Sequence, residues 1–190
     1  MGSIVVSENV SLDEVIQDPA GDEGFGRGGW VGLLAGRQEV AKVALDEALA
    51  AEALLLGRRS YEFFAGRWPS RSGDLADRLN GMPKYVLSST LEDPAWGDST
   101  VLKGDAAAEV SRLKRELDGQ ILVLGSFQLL RMLIEHDLVD ELRLKIYPVV
   151  LGAGNRLFGQ TGDAKPMRLI ASRTLDDGIA FLTYQRVEEA

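Results

Sequence analysis

The sequence predicts an α/β domain whose sheet is mostly parallel, has about eight strands and carries helices on both faces. Short apolar runs alternate with segments of helical periodicity as far as Leu138, and this alternation is typical of parallel strands joined by helices. Beyond Leu138 apolar and polar residues alternate, which indicates half-exposed strands. Asp176-Asp177-Gly178 separates the last two of these runs, so the sheet should end in an antiparallel hairpin.

Glycine and proline divide the first half of the chain into short elements. The run at 3–7 predicts a buried strand, and the glycine-rich stretch 9–36 predicts a loop long enough to act as a lid or binding loop. Periodicity and stop signals predict the remaining elements, namely a helix over 37–50, a strand over 53–56, helices over 58–65 and 74–80, and a strand over 85–87.

The second half continues the alternation and then ends in strands. Asp105 and Ser126 are residues of the type that caps helix N-termini, and each precedes a segment of helical periodicity. The predicted strands of this half are 101–102, 121–124, 142–146, 168–175 and 179–187.

Composition limits the function classes. The chain has 190 residues, enough for one domain over 1–190, and its net charge of -8 argues against nucleic acid or membrane partners. It contains no cysteine, so disulfides, thiolate metal sites and cysteine nucleophiles are excluded, and no metal site is predicted. With no signal-like segment at the N-terminus, the expected location is the cytoplasm.

Three predicted strands end in small, hydroxylated or basic residues. Ligands of parallel sheets bind at the carboxyl ends of strands, where helix N-termini and arginine attract anions. Each set alone is explained equally well by helix capping and solvated side chains, but together they favour one shared anionic ligand. The three sets are Gly57-Arg58-Arg59-Ser60, Ser88-Ser89-Thr90 and Gly125-Ser126-Phe127.

Two glycine motifs are less informative. The stretch Gly24–Gly29 fits the spacing G-x-G-x-x-G but does not follow a strand, so a flexible loop is the better interpretation. Gly152-Ala153-Gly154 follows a strand but lacks the third glycine, and indicates a tight turn.

These segments resemble a known family. The strand-end sets resemble the nucleotide-binding segments of dihydrofolate reductase, whose three-layer fold they imply. Ser11-Leu12-Asp13 and the stretches 138–142 and 147–158 resemble more specifically the reductase domain of the riboflavin-biosynthesis deaminase-reductase and its stand-alone bacterial relatives. The resemblance covers about residues 3–186.

The resemblance implies an NADPH-dependent oxidoreductase that transfers hydride to a small heterocycle. The substrate would be a pyrimidine ribityl or ribosyl phosphate, as in 5-amino-6-(5-phosphoribosylamino)uracil reductase. The three sets would bind NADPH, with an arginine on the 2′-phosphate. Asp13 would lie near the nicotinamide as a candidate proton donor, Leu151 and Gly152 would border the cleft, and Trp30 could stack on the substrate.

Some positions depart from the family pattern. Glu14 stands where a glycine follows Asp13, and neither Glu39 nor Asp46 is in register with the pterin-binding carboxylate of dihydrofolate reductases, so folate reduction is not expected. These departures leave two alternatives, a nucleotide-binding regulatory or sensor protein without turnover and a purely structural dimerisation domain. A homodimer is expected, because the edges of the C-terminal strands need cover.

Overall fold

A computed structural model describes residues 1–34 and 37–187, so two residues of the predicted long loop and the last three residues lie outside the described part. The chain forms a single eight-stranded sheet. Its strands are β1 (Ser3–Ser11), β2 (Ala51–Gly57), β3 (Lys84–Leu87), β4 (Ser99–Leu102), β5 (Gln120–Leu124), β6 (Glu141–Tyr147), β7 (Met167–Leu175) and β8 (Ile179–Arg186).

Helices pack on both faces of the sheet. They are α1 (Gln38–Ala50), α2 (Arg58–Ala65), α3 (Asp74–Gly81), α4 (Ala106–Glu116) and α5 (Phe127–Glu135), with short 3-10 turns at Trp30–Leu33 and Trp68–Ser70. Residues of α4 and α5, such as Val110 and Leu130, share one core cluster with the sheet. Residues of α1, α2 and α3, such as Ala48, Tyr61 and Leu79, share another. The predicted three-layer α/β architecture is confirmed.

The strand order is β4-β3-β2-β5-β1-β6-β8-β7. All neighbours from β4 to β6 are parallel, whereas β8 pairs antiparallel with both β6 and β7. The predicted antiparallel ending is therefore confirmed. Since the parallel strands point the same way, the carboxyl ends of β1, β2, β3 and β5 meet at one edge of the sheet.

The first strand is longer than the sequence predicts. The apolar run stops at Ser7, but β1 continues to Ser11 because its second half pairs with β6, from Glu8 opposite Leu144 to Ser11 opposite Tyr147. The pairing of β1 with β5 covers only residues 3–7. The extension places Glu8 inside a strand, whereas the sequence left this residue between the predicted strand 3–7 and the predicted loop 9–36.

The two predicted helix caps have different outcomes. Asp105 is confirmed as the N-cap of α4, since its carboxylate accepts the N–H of Ala108 at 2.9 Å. Ser126 precedes α5 but makes no side-chain cap, so that prediction is wrong. Its backbone is left-handed, with φ 67° and ψ 50°, rather than in the extended region typical of N-caps.

The glycine-rich loop after β1 is built around Asp18. This residue is buried, and its carboxylate accepts the N–H groups of Glu23 and Phe25 at 3.0 and 3.1 Å. A Cβ on Gly28 would lie 2.3 Å from Asp18 Oδ2, so glycine is required there for the close approach. The start of the loop is tied to the segment after β6, because Ile16 N–H donates to Asn155 O.

Candidate functional site

A groove of about 1140 Å³ lies at the carboxyl edge of the parallel strands. Its lining includes every residue of the three strand-end sets, which the chain brings together from the ends of β2, β3 and β5. These residues are Gly57, Arg58, Arg59, Ser60, Ser88, Ser89, Thr90, Gly125, Ser126 and Phe127. The convergence expected from parallel strand ends is present in the structure.

The basic side of the groove is the start of α2. Arg58 and Arg59 are exposed here, and Arg58 Nη1 lies 3.0 Å from a carboxylate oxygen of Glu62. The helix has no side-chain cap and no acidic residue in its first turn. Its first N–H groups therefore keep their partial positive charge available for an anion, next to the two guanidinium groups.

A hydrogen bond joins two of the strand ends that line the groove. Ser126 Oγ accepts the N–H of Gly57 at 3.0 Å, which joins the end of β2 to the turn after β5. Gly125 has φ 62°, so Gly125 and Ser126 form two consecutive left-handed residues before α5. A Cβ on Gly125 would lie 3.3 Å from Ser60 Oγ, which shows how closely the first and third sets approach each other.

The hydroxyl groups of Ser88, Ser89 and Thr90, which follow β3, have two different roles. Ser88 Oγ accepts the N–H groups of Thr90 and Leu91 at 3.1 and 2.9 Å, so it organises the turn. Ser89 and Thr90 are exposed at the rim of the groove. Their hydroxyls are the accessible ones of this set.

Glu8 is a groove residue that the sequence prediction missed. It is only 6% exposed, and it lies between Val6 and Val10, which belong to the core cluster on that face of β1. Among the described residues, its Oε1 has no hydrogen-bond partner. Burial raises the pKa of Glu8 to about 8. The nearby Glu47 adds to this rise, and Lys145 and the backbone N–H of Gly125 oppose it.

A buried ion pair lies on the opposite face of β1. Both carboxylate oxygens of Glu47 accept from Ser7 Oγ at 2.9 Å, and Lys145 Nζ lies 3.3 Å from Glu47 Oε2. Arg143 Nη1 lies 3.7 Å from Glu47 Oε1. The carboxylate of α1 that faces the groove is thus Glu47, already neutralised by two cations, and not the Glu39 or Asp46 considered from sequence.

Residues 3–181 match the RibD C-terminal domain family, which is nearly the whole chain. The chain belongs to this family. Two curated relatives are uncharacterised proteins of Bacillus subtilis (strain 168). YyaP is 28% identical over 139 residues, which are 70% of this chain and 73% of YyaP. YwjB is 29% identical over 95 residues, which are 50% of this chain and 55% of YwjB.

Solved structures share the fold of this RibD C-terminal domain. A riboflavin biosynthesis protein from Shewanella sp. PV-4 superposes with a TM-score of 0.78 at 21% identity, covering 98% of this chain and 99% of the other. A pyrimidine reductase-like protein from Corynebacterium diphtheriae gives 0.66 at 13% identity, covering 98% and 92%. Dihydrofolate reductase from Enterococcus faecalis, complexed with NADP(H), gives 0.64 at 14% identity, covering 98% and 97%.

Asp13 of the RibD C-terminal domain does not line the groove. Its carboxylate accepts the N–H groups of Leu151 and Gly152 at 3.0 and 2.7 Å and the hydroxyl of Ser11 at 2.7 Å. These bonds lower the pKa of Asp13 to about 2, with that from Leu151 the largest cause. Asp13 is therefore ionised at neutral pH and holds the turn after β6, which contradicts the predicted role of proton donor. Leu151 and Gly152 are likewise outside the groove lining.

Trp30 is also not positioned to stack on a ligand. Its side chain is 1% exposed, its Nε1–H donates to Gln17 O at 3.0 Å, and its ring meets Tyr147 edge-on with centroids 5.4 Å apart. The indole is part of the core beneath the loop, so the predicted stacking is wrong. The aromatic rings that do line the groove are Phe63, Phe64, Trp68 and Phe127, and no periodic pattern in the sequence separates them from core residues.

A second cavity, of about 1280 Å³, lies against β6, β8 and the segment 157–166. Its lining contains no residue of the three strand-end sets. Among residues 1–34 and 37–187, no helix is both long and apolar enough to cross a membrane. The same part of the chain gathers no group of three or more side chains suited to hold a metal ion.

Proposed function

We propose that the groove binds NADPH and that the chain is an NADPH-dependent reductase of a small heterocyclic substrate. The observation that carries this proposal is the meeting of two arginines, two helix N-termini and exposed hydroxyls in one groove of a chain with net charge -8. Such a concentration of anion-binding groups in an acidic protein suits a ligand with several phosphates.

The donor groups match the chemistry of the dinucleotide. The starts of α2 and α5 would bind phosphate oxygens through their N–H groups, and Arg58 or Arg59 would bind the 2′-phosphate bidentately. Ser89 and Thr90 would meet the adenosine ribose. When bound, NADPH would supply a hydride, and the chain would orient the reactants and exclude water.

The names of two structural neighbours support the proposed substrate class. The neighbour from Shewanella is a riboflavin biosynthesis protein, and that from Corynebacterium is pyrimidine reductase-like. We therefore favour a pyrimidine that carries a ribosyl or ribityl phosphate, such as 5-amino-6-(5-phosphoribosylamino)uracil. Its ring would occupy the part of the groove near Glu8, where the phosphate-binding groups end and a buried carboxyl begins.

The cofactor proposal is tested by titrating NADPH and NADH against tryptophan fluorescence. Replacing Arg58 and Arg59 by Ala should weaken NADPH binding about tenfold or more, since each lost charge-assisted hydrogen bond costs about 1.5–3 kcal/mol, and should weaken NADH much less. Arg115→Ala, an exposed arginine of α4 outside the groove, is the matched control. Equal weakening of both dinucleotides would count against the 2′-phosphate assignment.

A regulatory or sensor protein without turnover is the second candidate. It is favoured by the engagement of Asp13 in a turn and of Glu47 in an ion pair, because neither carboxylate is available to a substrate. Measuring NADPH oxidation distinguishes the regulatory protein from the reductase. A regulatory protein would bind NADPH tightly and oxidise none of it in the presence of pyrimidine substrates.

We also propose that two copies of the chain associate through β7. This strand is the last of the sheet, and Leu169 and Ile170 on it are each 49% exposed. The outer edge of this strand has no neighbouring strand in the described part of the chain, and an exposed edge that carries apolar side chains needs cover from another chain. Sedimentation of the protein over a range of concentrations tests this proposal.

A further inference from the structure

Glu8 combines burial, accessibility to a ligand and an unused hydrogen-bonding atom. The residue is 6% exposed, yet it lines the groove, and its Oε1 has no partner in the described part of the chain. A buried polar atom without a partner costs about 1–3 kcal/mol. Such an atom in a ligand groove is the expected position for a contact that is completed only when the ligand arrives.

The charged groups around Glu8 leave it without a counter-ion of its own. Lys145 stabilises the carboxylate of Glu8 electrostatically, but its ammonium group is bonded to Glu47 and to the hydroxyl of Ser7. Arg143 also pairs with Glu47 and with Glu141. Glu47 itself repels a negative charge on Glu8. Burial in the apolar core favours the neutral acid, and it outweighs Lys145 and the N–H of Gly125, which favour the carboxylate.

We infer that Glu8 is the acid of the groove, which protonates the substrate in the reduction proposed above. This inference rests on the proposed reductase function. The carboxylic acid donates a hydrogen bond from Oε1 to the nitrogen or oxygen of the C=N or C=O group whose carbon receives the hydride. A ligand of this class carries hydrogen-bond acceptors, and one of them would be the partner that Oε1 lacks.

The proton transfer completes the reduction. Glu8 gives its proton to the nitrogen or oxygen whose carbon receives the hydride, so the double bond becomes a single bond and NADPH is oxidised to NADP⁺. Glu8 is left as a carboxylate, and water entering the open groove returns the proton. A general acid suits this step when its pKa lies near the working pH, and this kind of catalysis contributes about 10²–10⁴-fold to a rate.

Asp13 does not compete for this role. Its three hydrogen bonds stabilise the ionised form, and it lies outside the groove lining. Glu8 has the opposite environment, in which burial stabilises the protonated form more than Lys145 and the N–H of Gly125 stabilise the carboxylate. Two carboxyl groups of one domain thus have pKa values displaced in opposite directions, and only the one displaced upward lies in the groove.

The first test needs no substrate. Infrared spectra of the protein, recorded from pH 5 to pH 10, should show one protonated carboxyl that ionises near pH 8. Glu8→Gln should remove this signal, and Glu116→Gln, the same substitution on the exposed face of α4, should retain it. If the carboxylic acid signal is already absent at pH 6 in the wild-type protein, the inference is overturned.

The second test uses NADPH with 5-amino-6-(5-phosphoribosylamino)uracil as the probe substrate. Glu8→Gln should lower kcat at pH 7 by about 10²–10⁴-fold and remove the fall in rate above pH 8, with NADPH affinity unchanged. Glu8→Asp, which retains a carboxylic acid, should restore part of the rate. An unchanged rate and pH profile in Glu8→Gln would overturn the role of Glu8. A wild-type protein that binds NADPH without oxidising it would instead count against the reductase proposal. The infrared titration would still show whether Glu8 is a protonated carboxyl.

Discussion

The substitution Glu8→Gln should change how the stability of the protein depends on pH. In the folded chain the pKa of Glu8 is raised to about 8, against 4.5 for an ordinary glutamate. Between these two values the folded state binds one proton more than the unfolded state, so the free energy of unfolding falls as pH rises. Glutamine has nearly the same shape and does not titrate, so the variant should lose this decline.

The magnitude follows from the size of the displacement. The difference of about 3.5 units between 8 and 4.5 corresponds to at most about 5 kcal/mol, since one unit is worth 1.36 kcal/mol. Below pH 4.5 the free energies of unfolding of Glu8→Gln and of the wild type should differ by a constant amount. Above pH 8 the free energy of unfolding of the variant, measured relative to the wild type, should be higher than below pH 4.5 by nearly the full amount given by the pKa displacement.

Urea unfolding at intervals from pH 4 to pH 9 measures this effect. The wild-type protein, Glu8→Gln and the surface control Glu116→Gln are compared at each pH, and the difference between the first two is plotted against pH. The difference should rise from pH 5 to pH 8, while the control follows the wild type. Parallel curves for Glu8→Gln and wild type would refute the reasoning, because Glu8 would then have the same pKa folded and unfolded.

Four further substitutions test individual contacts. Ser126→Ala leaves the N–H of Gly57 without its acceptor and should cost about 1–3 kcal/mol in urea unfolding, together with weaker NADPH binding. Asp13→Asn should destabilise the fold at pH 7. Because the pKa of Asp13 is lowered from 3.8 to about 2, its contribution is complete above pH 3.8, and thermal melts of variant and wild type should converge as pH falls through 2. Trp30→Ala should cost about 3–5 kcal/mol by the same urea assay, and a loss under 1 kcal/mol would contradict its place in the core. Ile170→Lys should convert a dimer into monomers in sedimentation, and an unchanged mass would contradict association through β7.

The strand ends were predictable because their meeting depends only on strand direction. The sets beginning at Gly57, Ser88 and Gly125 each follow an apolar run that is followed by a helix or turn, so parallel pairing alone brings them to one edge. The order of the strands along that edge did not need to be known. For the same reason, the antiparallel ending was visible from the alternation after Leu138 and from the Asp-Asp-Gly turn.

The position of Glu8 could not be predicted in the same way. Three polar residues in a row end the apolar run after Val6, and the local pattern indicates a loop. The strand continues because β6, more than 130 residues later, supplies hydrogen-bonding partners as far as Ser11. Long-range pairing of this kind overrides local propensity. The alternation of Val6, Glu8 and Val10 was the available signal, and it points to one face of a strand.

Asp13 and Trp30 were misplaced for a related reason. Residue type suggested chemistry for both, but their surroundings come from distant segments. The N–H groups of Leu151 and Gly152 donate to the two carboxylate oxygens of Asp13. Tyr147 and the carbonyl of Gln17 contact the indole of Trp30. Ser126 shows the reverse case, because a residue expected to cap its own helix and to bind the ligand makes no cap and accepts a hydrogen bond that connects two strand ends.

The hydrogen bond from the Gly57 N–H to Ser126 Oγ also limits the distance between the starts of α2 and α5. Because one hydroxyl fastens the two places where α2 and α5 begin, the separation of these helix starts is fixed before any ligand enters. A molecule with two linked anionic groups at the matching spacing would span both starts without distorting the chain, whereas inorganic phosphate or a mononucleotide could engage only one at a time. The groove should therefore bind ligands whose two anionic groups have the matching separation more tightly than ligands in which these groups lie closer together or farther apart.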